Sequence, residues 1–340
     1  MTGDLLEART PCNREASGAR RHRWCIRSSV AMASESKTAV VAALIGNAVL
    51  ALLKGATAAI TGSAAMLAET FHSLADTGNQ VLLFVGMRLS QRPPDRSHPF
   101  GYGMNTYFWA FVVSAMLFTV GGAFSIWEAV HKFLGPPAYV ASPGAFFVLA
   151  GAFVFEAMSL GVALHSFRTE RRGEPILTFM REARDPTLPT VLLEDGAALL
   201  SILVAAAGLA LAQLTGRPQW DAAASAAIGL ILIGVATFLA YENYSLLLGE
   251  PATAEQEHEI RARLAADPAV RDVVSLHTMH LGPNAVLVSA RVWFRPELTA
   301  RQIEEAVLRL EDAARAALPG TRRRLILIEP ARPHAAQRAA

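Results

Sequence analysis

Six long apolar segments constrain the fold more than any other feature of the sequence. A helix needs about 20 apolar residues to cross the hydrocarbon core of a bilayer. Segments of that length lie at about 38–60, 64–89, 104–131, 143–166, 188–213 and 221–247. A 340-residue chain that is 52% hydrophobic and 18% charged is also too apolar for an ordinary soluble domain. We therefore predict an all-α bundle of six transmembrane helices over residues 34–250.

The composition changes after Pro251 to that of a soluble domain. A charged helical stretch is followed by VRDVVSLHTM, a Gly-Pro-Asn turn and AVLVSARVWF. An amphipathic helix, TARQIEEAVLRLEDAARAAL, then leads to RRRLILIEP. The predicted order is α-β-β-α-β, with two strands in a hairpin and a third that returns after a crossover helix. We expect a small α+β domain over 251–330 and a disordered tail over 331–340.

The distribution of arginines orients the bundle. Arg88, Arg92 and Arg96 follow the second segment, and five more arginines lie between the fourth and fifth segments. The remaining loops are short and carry few charges. By the positive-inside rule both termini are cytoplasmic. An even number of spans agrees with this arrangement.

The N-terminal 33 residues are polar and Arg-rich, without the apolar core of a secretory signal. We expect Met32 to be the initiator, which would leave the upstream stretch without a role. A mitochondrial transit peptide is the weaker alternative, because acidic residues interrupt the basic ones. Both cysteines, Cys12 and Cys25, lie in this tail. A metal bound by the body of the protein must therefore use nitrogen and oxygen ligands.

Ionisable residues within the spans are the best indicators of function, because they are costly at membrane depth unless they face a partner, a cavity or an ion. The second span reads AETFHSLADTGNQ and places Glu69, His72 and Asp76 on one helical face. An imidazole and a carboxylate one turn apart suit zinc, and also cobalt, iron or manganese. The alternative is a buried His–Asp contact that serves only helix packing.

The fifth span carries two adjacent acids, Glu194 and Asp195, in an otherwise apolar run. Neighbouring helical residues point about 100° apart, so the two cannot face one ion equally well. We assign Asp195 to the metal site and keep Glu194 as an additional ligand or proton acceptor. Alternatively, both acids simply reach water near the cytoplasmic end of the span.

Three further polar residues lie within the spans. Counting outward from the turn between the first two spans places Lys54 level with Glu69, and Asn47 level with Asp76. A Lys54–Glu69 ion pair is therefore favoured slightly over a metal-binding role for Glu69, and Asn47 is a candidate support for Asp76. For Glu156 in the fourth span, a structural hydrogen bond and a role in proton movement remain open.

These residues resemble the cation diffusion facilitator family, also called the zinc transporter family. The resemblance covers Met32 to Pro330 and rests on TGSAAMLAETFHSLADTGNQ, on SHPFGYG and on a tail ending in ILIEP. LAETFHSLADTGNQVLL with VLLEDGAAL is most similar to the branch that contains the animal mitochondrial zinc exporter and bacterial relatives. The resemblance implies a ferredoxin-like fold for the cytoplasmic C-terminal domain, a homodimer, and metal/proton antiport by alternating access.

The sequence departs from the family pattern at the fifth span. The family takes two ligands four residues apart from each of spans two and five, but Val191 stands where a His or Asp is expected. Glu194, Glu69 or water must then complete the site. A second family site on the cytoplasmic side is matched in part by Asp95 and His98, with Tyr102 where another His often sits. The histidines of the tail domain do not form a metal-binding pattern.

We accordingly expect an integral membrane transporter, not an enzyme, that exports a divalent cation in exchange for protons. Zinc is the first choice of substrate, and iron, manganese or cobalt are alternatives. No cofactor and no nucleic-acid partner are expected; the partners are the ion, protons, the bilayer and a second copy of the chain. The composition weakly indicates a bacterial inner membrane. A non-transporting membrane metal sensor or scaffold is the competing function.

Overall fold

The computed structural model describes residues 44–135, 143–170, 185–318, 321 and 323–332. The predictions for the N-terminal tail, for Met32 as initiator and for residues 333–340 lie outside these ranges. So do Arg171, Arg172, Arg181 and Arg184, on which the orientation partly rests.

The N-terminal part of the described chain is entirely helical apart from its loops. Its elements are α1 (Leu44–Thr61), α2 (Ala64–Ser90), α3 (Asn105–Met116), a π-helical segment (Leu117–Ala123), α4 (Phe124–Leu134), α5 (Pro143–Glu170), α6 (Thr187–Thr215) and α7 (Gln219–Leu248). Because α3, the π-helical segment and α4 are continuous, they form one 30-residue span.

Five of the described helical spans are long and apolar enough to cross a membrane, by length and composition. They are α1, the continuous helix Asn105–Leu134, α5, α6 and α7. The second predicted span, α2, is not among these five. It is 27 residues long, but it carries the polar residues on which the site prediction rests. Those residues lower its hydropathy, so the described helices confirm five of the six predicted spans by length and composition.

Small residues allow the membrane helices to pack closely. A Cβ atom added to Gly229 on α7 would lie 2.9 Å from the carbonyl oxygen of Gly122 in the π-helical segment. Gly208 on α6 similarly faces the Cβ of Ala224 on α7. Close approach of backbones through small residues is a usual way for helices to associate in lipid, where the hydrophobic effect does not drive them together.

One end of α2 is held by a carboxylate from α7. The side chain of Asp221 accepts hydrogen bonds from the Ser63 hydroxyl (2.6 Å) and from the backbone N–H groups of Ala64 (2.5 Å) and Ala65 (3.3 Å). The first N–H groups of a helix have no partner within the helix, and a negative charge there is favourable. Asp221 thus fixes the start of the helix that carries His72 and Asp76.

The C-terminal domain has the predicted α-β-β-α-β order. Its elements are α8 (Ala254–Ala265), β1 (Val270–Gly282), β2 (Ala285–Phe294), α9 (Ala300–Ala316) and β3 (Arg323–Pro330). β1 pairs with β2 in an antiparallel hairpin and β2 pairs with β3 in parallel, so β2 lies at the centre. The parallel pairing requires the crossover through α9. Both helices begin with a capping box, at Thr253 and Thr299.

The core of this domain lies between the sheet and the two helices. The alternate residues of β2 that are buried belong to it, together with apolar side chains of α8 and α9: Val286, Val288, Ala290, Val292, Phe294, Ile260, Leu264, Ala306, Leu310 and Ala314. On β1, His277 is exposed whereas His280 is buried. The two histidine side chains therefore differ in exposure and do not share one face of the strand.

Candidate metal site

The centre of the site is the His72–Asp76 pair on α2. The Nε2 atom of His72 lies 3.6 Å from Oδ2 of Asp76, one helical turn away. His72 is fully buried, and Asp76 is 9% exposed. Neither ring nitrogen of His72 has a hydrogen-bond partner, and neither has Oδ1 of Asp76. Buried polar atoms without partners are costly in a folded protein, so a ligand for these atoms is the simplest explanation.

Glu69 lies on the same face but is engaged elsewhere. Its Oε2 atom accepts a 2.8 Å hydrogen bond from Nζ of Lys54 on α1, and both side chains are fully buried. Lys54 also donates to the Ser73 hydroxyl at 2.9 Å. The predicted Lys54–Glu69 ion pair is therefore confirmed. It leaves Glu69 with one unpartnered oxygen, Oε1.

The two acids of α6 point to different neighbouring helices. Oε1 of Glu194 accepts a 2.7 Å hydrogen bond from Nδ2 of Asn79 on α2. Oδ2 of Asp195 accepts a 2.7 Å hydrogen bond from the Ser159 hydroxyl on α5. The structure thus brings Glu194 toward α2, whereas sequence analysis assigns the larger role to Asp195.

Asn79 and Ser159 were not identified from the sequence. Asn79 follows His72 by seven residues and Asp76 by three, so the helical period alone puts it on the site face. This spacing could have identified Asn79 from the sequence. Ser159 could not be found in this way, because a hydroxyl within an apolar helix more often bonds its own backbone. Asn47, which was expected to support Asp76, is buried. Both residues belong to the described part of the chain, and no hydrogen bond joins them.

Val191 faces an apolar environment. It packs in a cluster formed by the C-terminal half of α5 and the N-terminal turns of α6. The other members of that cluster are Leu160, Ala163, Leu164, Phe167, Leu188, Leu192 and Leu193. This position of α6 therefore contributes packing and offers no donor atom to an ion.

The acids of α2 and α6 and the imidazole of His72 do not converge on one point. Among the described residues, no three His, Cys, Asp or Glu side chains are close enough to hold a metal ion together. The arrangement supplies buried nitrogen and oxygen donors from α2 and α6 at neighbouring positions.

In the loop that follows α2, Asp95 accepts several hydrogen bonds from its neighbours, including the backbone of His98. Oδ1 of Asp95 accepts hydrogen bonds from the Ser97 hydroxyl (2.7 Å), the Ser97 N–H (2.9 Å) and the His98 N–H (2.8 Å). Oδ2 accepts a fourth from the Tyr102 hydroxyl at 2.7 Å. Hydrogen bonds from the Ser97 and Tyr102 side chains hold the pKa of Asp95 well below its usual range. The carboxylate is thus ionised and organises the loop.

The His98 ring lies over the Tyr102 ring, with 4.2 Å between centroids, and its Nδ1 atom is 3.9 Å from Oδ1 of Asp95. Asp95 and His98 are both about half exposed. The structure brings the two residues together. The prediction that they bind a second metal ion stays a prediction.

Comparison with known proteins follows the same division of the chain. A family model described as the cation efflux transmembrane domain matches residues 40–248. A second, described as the cytoplasmic domain of cation efflux proteins, matches residues 252–331.

Several named proteins are similar to the chain. The mouse proton-coupled zinc antiporter SLC30A9, mitochondrial, is 34% identical over 247 residues, which is 72% of this chain and 44% of that protein. Metal tolerance protein C4 of Arabidopsis thaliana is 30% identical over 270 residues, or 78% of this chain and 59% of that protein. The zinc transporter ZitB of Yersinia pseudotuberculosis is 27% identical over 223 residues, 65% of each chain. The chain spans about half the length of the first two relatives.

Proposed function

The chain belongs to the cation efflux family, the cation diffusion facilitators, and from that premise we propose that it exports a divalent metal cation in exchange for protons. The observation that carries the proposal is the buried His72–Asp76 pair, whose ring nitrogens and Oδ1 atom have no hydrogen-bond partner. The ion binds there with the help of the α6 acids Glu194 and Asp195. Glu69 is the least favoured ligand, since Lys54 already neutralises it.

Zinc is the proposed main substrate. One imidazole and several carboxylates form a nitrogen and oxygen donor set that zinc accepts. Two of the relatives carry names that state zinc transport, which supports the same choice. The donor set is also compatible with cobalt, iron and manganese, because carboxylate-rich sites select less sharply among divalent ions.

Coupling to protons follows from the chemistry of the ligands. A metal ion needs a neutral imidazole at His72 and ionised carboxylates at Asp76 and the α6 acids, so the ion and protons compete for the same groups. Loading the ion on one side displaces protons, and protonation on the other side helps release the ion. Rocking of the helices about the site would expose it to the two sides in turn.

The proposed architecture has six spans, namely the five apolar helices and α2, and both termini lie in the cytoplasm. The transport domain covers 34–250 and a ferredoxin-like domain covers 251–330, which serves dimerisation. The α-β-β-α-β order and the central β2 support this assignment. We place the protein in a bacterial inner membrane, for which the Ala- and Arg-rich composition is the support.

We also propose that Asp95 and His98 bind an ion at the cytoplasmic end of α2, with lower affinity than the membrane site. Their proximity supports this. Zinc stoichiometry of the purified protein tests it: His98→Ala is expected to lose one weak site and to keep the tight one. Unchanged stoichiometry would remove the second site.

The main test measures metal flux into proteoliposomes for the parent protein, His72→Ala, Asp76→Ala and Asp195→Ala. Each variant is expected to reduce zinc flux by about tenfold or more, which corresponds to about 1.4 kcal/mol. Glu128→Gln is the matched control, because Glu128 is a buried membrane carboxylate that pairs with Lys132 away from the site. If the three site variants transported like the parent, the proposed site would be wrong. Zinc binding without flux in the parent would indicate a sensor or scaffold.

A further inference from the structure

The fourth membrane helix carries a buried carboxylate that the site described above does not use. Glu156 lies in the middle of α5 and is 5% exposed. Within the part of the chain that the structure describes, it makes no hydrogen bond or ion pair. The structural hydrogen bond considered from the sequence is therefore not formed. A carboxylate buried in a membrane helix without a partner is costly, and such residues usually serve an ion or a proton.

Two hydrogen bonds between helices fix the depth of Glu156. The Ser159–Asp195 contact sets α5 against α6, and the Asn79–Glu194 contact sets α2 against α6. The helices of each pair are antiparallel. Going three residues back along one helix therefore reaches the depth of the residue three positions further along the other. Glu156 then lies at about the level of Ala198, and Asp76 at about the level of Ala197. With a rise of about 1.5 Å per residue, the two carboxylates are at nearly the same depth.

The packing of the helices agrees with this placement. Ala152, one helical turn before Glu156 on the same face of α5, is buried in the same core cluster as Ala75 of α2 and Ala197 of α6. Because Lys54 is bound directly to Glu69, its charge is already balanced. The remaining acids, Asp76, Glu156, Glu194 and Asp195, have no lysine or arginine partner among the described residues, so a cation among them would be strongly stabilised.

The acids alone would not identify a ligand. The second observation is the imidazole of His72, which is fully buried with both ring nitrogens unpartnered, beside the free Oδ1 of Asp76. A tetrahedral site needs four donors. The α6 position that would supply one of them is Val191, which packs against apolar side chains of α5. The adjacent acids Glu194 and Asp195 bond to different helices and cannot both face one ion equally well. The site therefore lacks one donor on the α6 side.

We propose that Glu156 supplies this missing donor, so that the membrane site takes protein ligands from three helices, α2, α5 and α6. The inference rests on the proposed function, since it deepens the same site. It gives a set of one imidazole and up to three carboxylates for the ion. Such an oxygen-rich set is expected to accept manganese and iron more readily than a site with two imidazoles.

The test is metal binding by the purified full-length protein in lipid nanodiscs. Zinc affinity is measured by competition with a chromophoric chelator, and the visible spectrum of bound cobalt reports its coordination. Glu156→Gln, which keeps the size of the side chain and removes its charge, is expected to weaken zinc binding about tenfold or more and to alter the cobalt spectrum. Glu156→Asp keeps the charge on a shorter side chain, and an intermediate loss is expected.

Two further variants separate this inference from the proposed function. Glu128→Gln should bind like the parent, because Glu128 pairs with Lys132 elsewhere. His72→Ala should lose zinc binding if the membrane site is correct. Loss in His72→Ala with parent-like binding and spectrum in Glu156→Gln would overturn the role of Glu156 alone. Parent-like binding in His72→Ala would overturn the site itself. Should Glu156→Gln fail to fold, parent-like affinity in Glu156→Asp would still overturn the inference.

Discussion

At the scale of single residues, the molecule separates a structural charge pair from a set of groups open to an ion. Lys54 and Glu69 neutralise each other in a fully buried ion pair. One turn further along α2, His72 and Asp76 keep donor atoms without partners. Glu69 lies on the same face of α2 as His72 and Asp76, yet its charge is neutralised by Lys54 of α1, whereas the charge of Asp76 has no lysine or arginine partner among the described residues. This distinction depends on a lysine from the neighbouring helix.

The ion pair makes a prediction about stability. Lys54→Met leaves the Glu69 carboxylate buried without a counter-charge, and such a change costs about 3–5 kcal/mol. The apparent melting temperature of the detergent-solubilised protein should therefore fall clearly. The double variant Lys54→Met/Glu69→Leu removes both charges and should recover most of the loss. A single variant as stable as the parent would show that the pair contributes little.

At the scale of elements, the placement of α2 depends on α7. Asp221 binds the hydroxyl of Ser63 and the first free N–H groups of α2. At the same end, Nζ of Lys132 donates to the carbonyl oxygen of Gly62 at 2.9 Å. The helix that carries the candidate ligands is thus tied at its start to two other helices of the bundle.

Removing this tie should both destabilise the protein and slow transport. Asp221→Ala leaves the Ser63 hydroxyl and two N–H groups without their acceptor, and loss of such a cap costs about 0.5–2 kcal/mol. Asp221→Asn keeps one carbonyl oxygen and should lie between Asp221→Ala and the parent. Thermal unfolding and zinc flux measure the two effects. Equal behaviour of all three proteins would contradict the role assigned to Asp221.

The crossing of α7 with the π-helical segment makes a second prediction at this scale. A Cβ atom at Gly229 would lie 2.7 Å from Cγ1 of Ile126 and 2.9 Å from the carbonyl oxygen of Gly122. Gly229→Ala should therefore force the helices apart, at a cost of about 1–3 kcal/mol. Gly234→Ala is the control, because it lies in the same helix and a Cβ there meets nothing within 4 Å. The comparison uses the melting temperatures of the two variants, and equal values would argue against close packing.

At the scale of the whole molecule, the family places the chain among cation efflux proteins with a membrane part and a C-terminal domain. The proposed transport in exchange for protons is a property of the complete assembly, since it requires the site to face each side in turn. The relevant variable is the proton gradient across the membrane.

Proteoliposomes with an acidic lumen should take up zinc faster than those without a gradient. Collapsing the gradient with a proton–potassium exchanger should reduce uptake severalfold, because lumenal protons then no longer displace the ion from its ligands. Zinc uptake by vesicles that contain His72→Ala gives the background rate. Zinc uptake that is indifferent to the gradient would leave a transporter without proton coupling.

The sequence alone was sufficient for the features that depend on local pattern. Segment length and apolar content predicted the five described helices that are long and apolar enough to cross a membrane, and alternation with turn residues predicted the C-terminal order. Helical spacing placed His72 and Asp76 together, and reflection of the first two spans about their turn predicted the Lys54–Glu69 pair. All of these follow from the period of one element or from one short connection, which the chain itself specifies.

Only the tertiary structure decided which distant side chains meet. The direction of Glu194 toward Asn79, the direction of Asp195 toward Ser159 and the depth of Glu156 depend on how α2, α5 and α6 rotate and slide against each other. That rotation is set by packing between helices far apart in the chain, including the apolar cluster around Val191. No local pattern encodes it. The sequence therefore determined which residue types are available to an ion, and the packing of the helices decided which of them share a site.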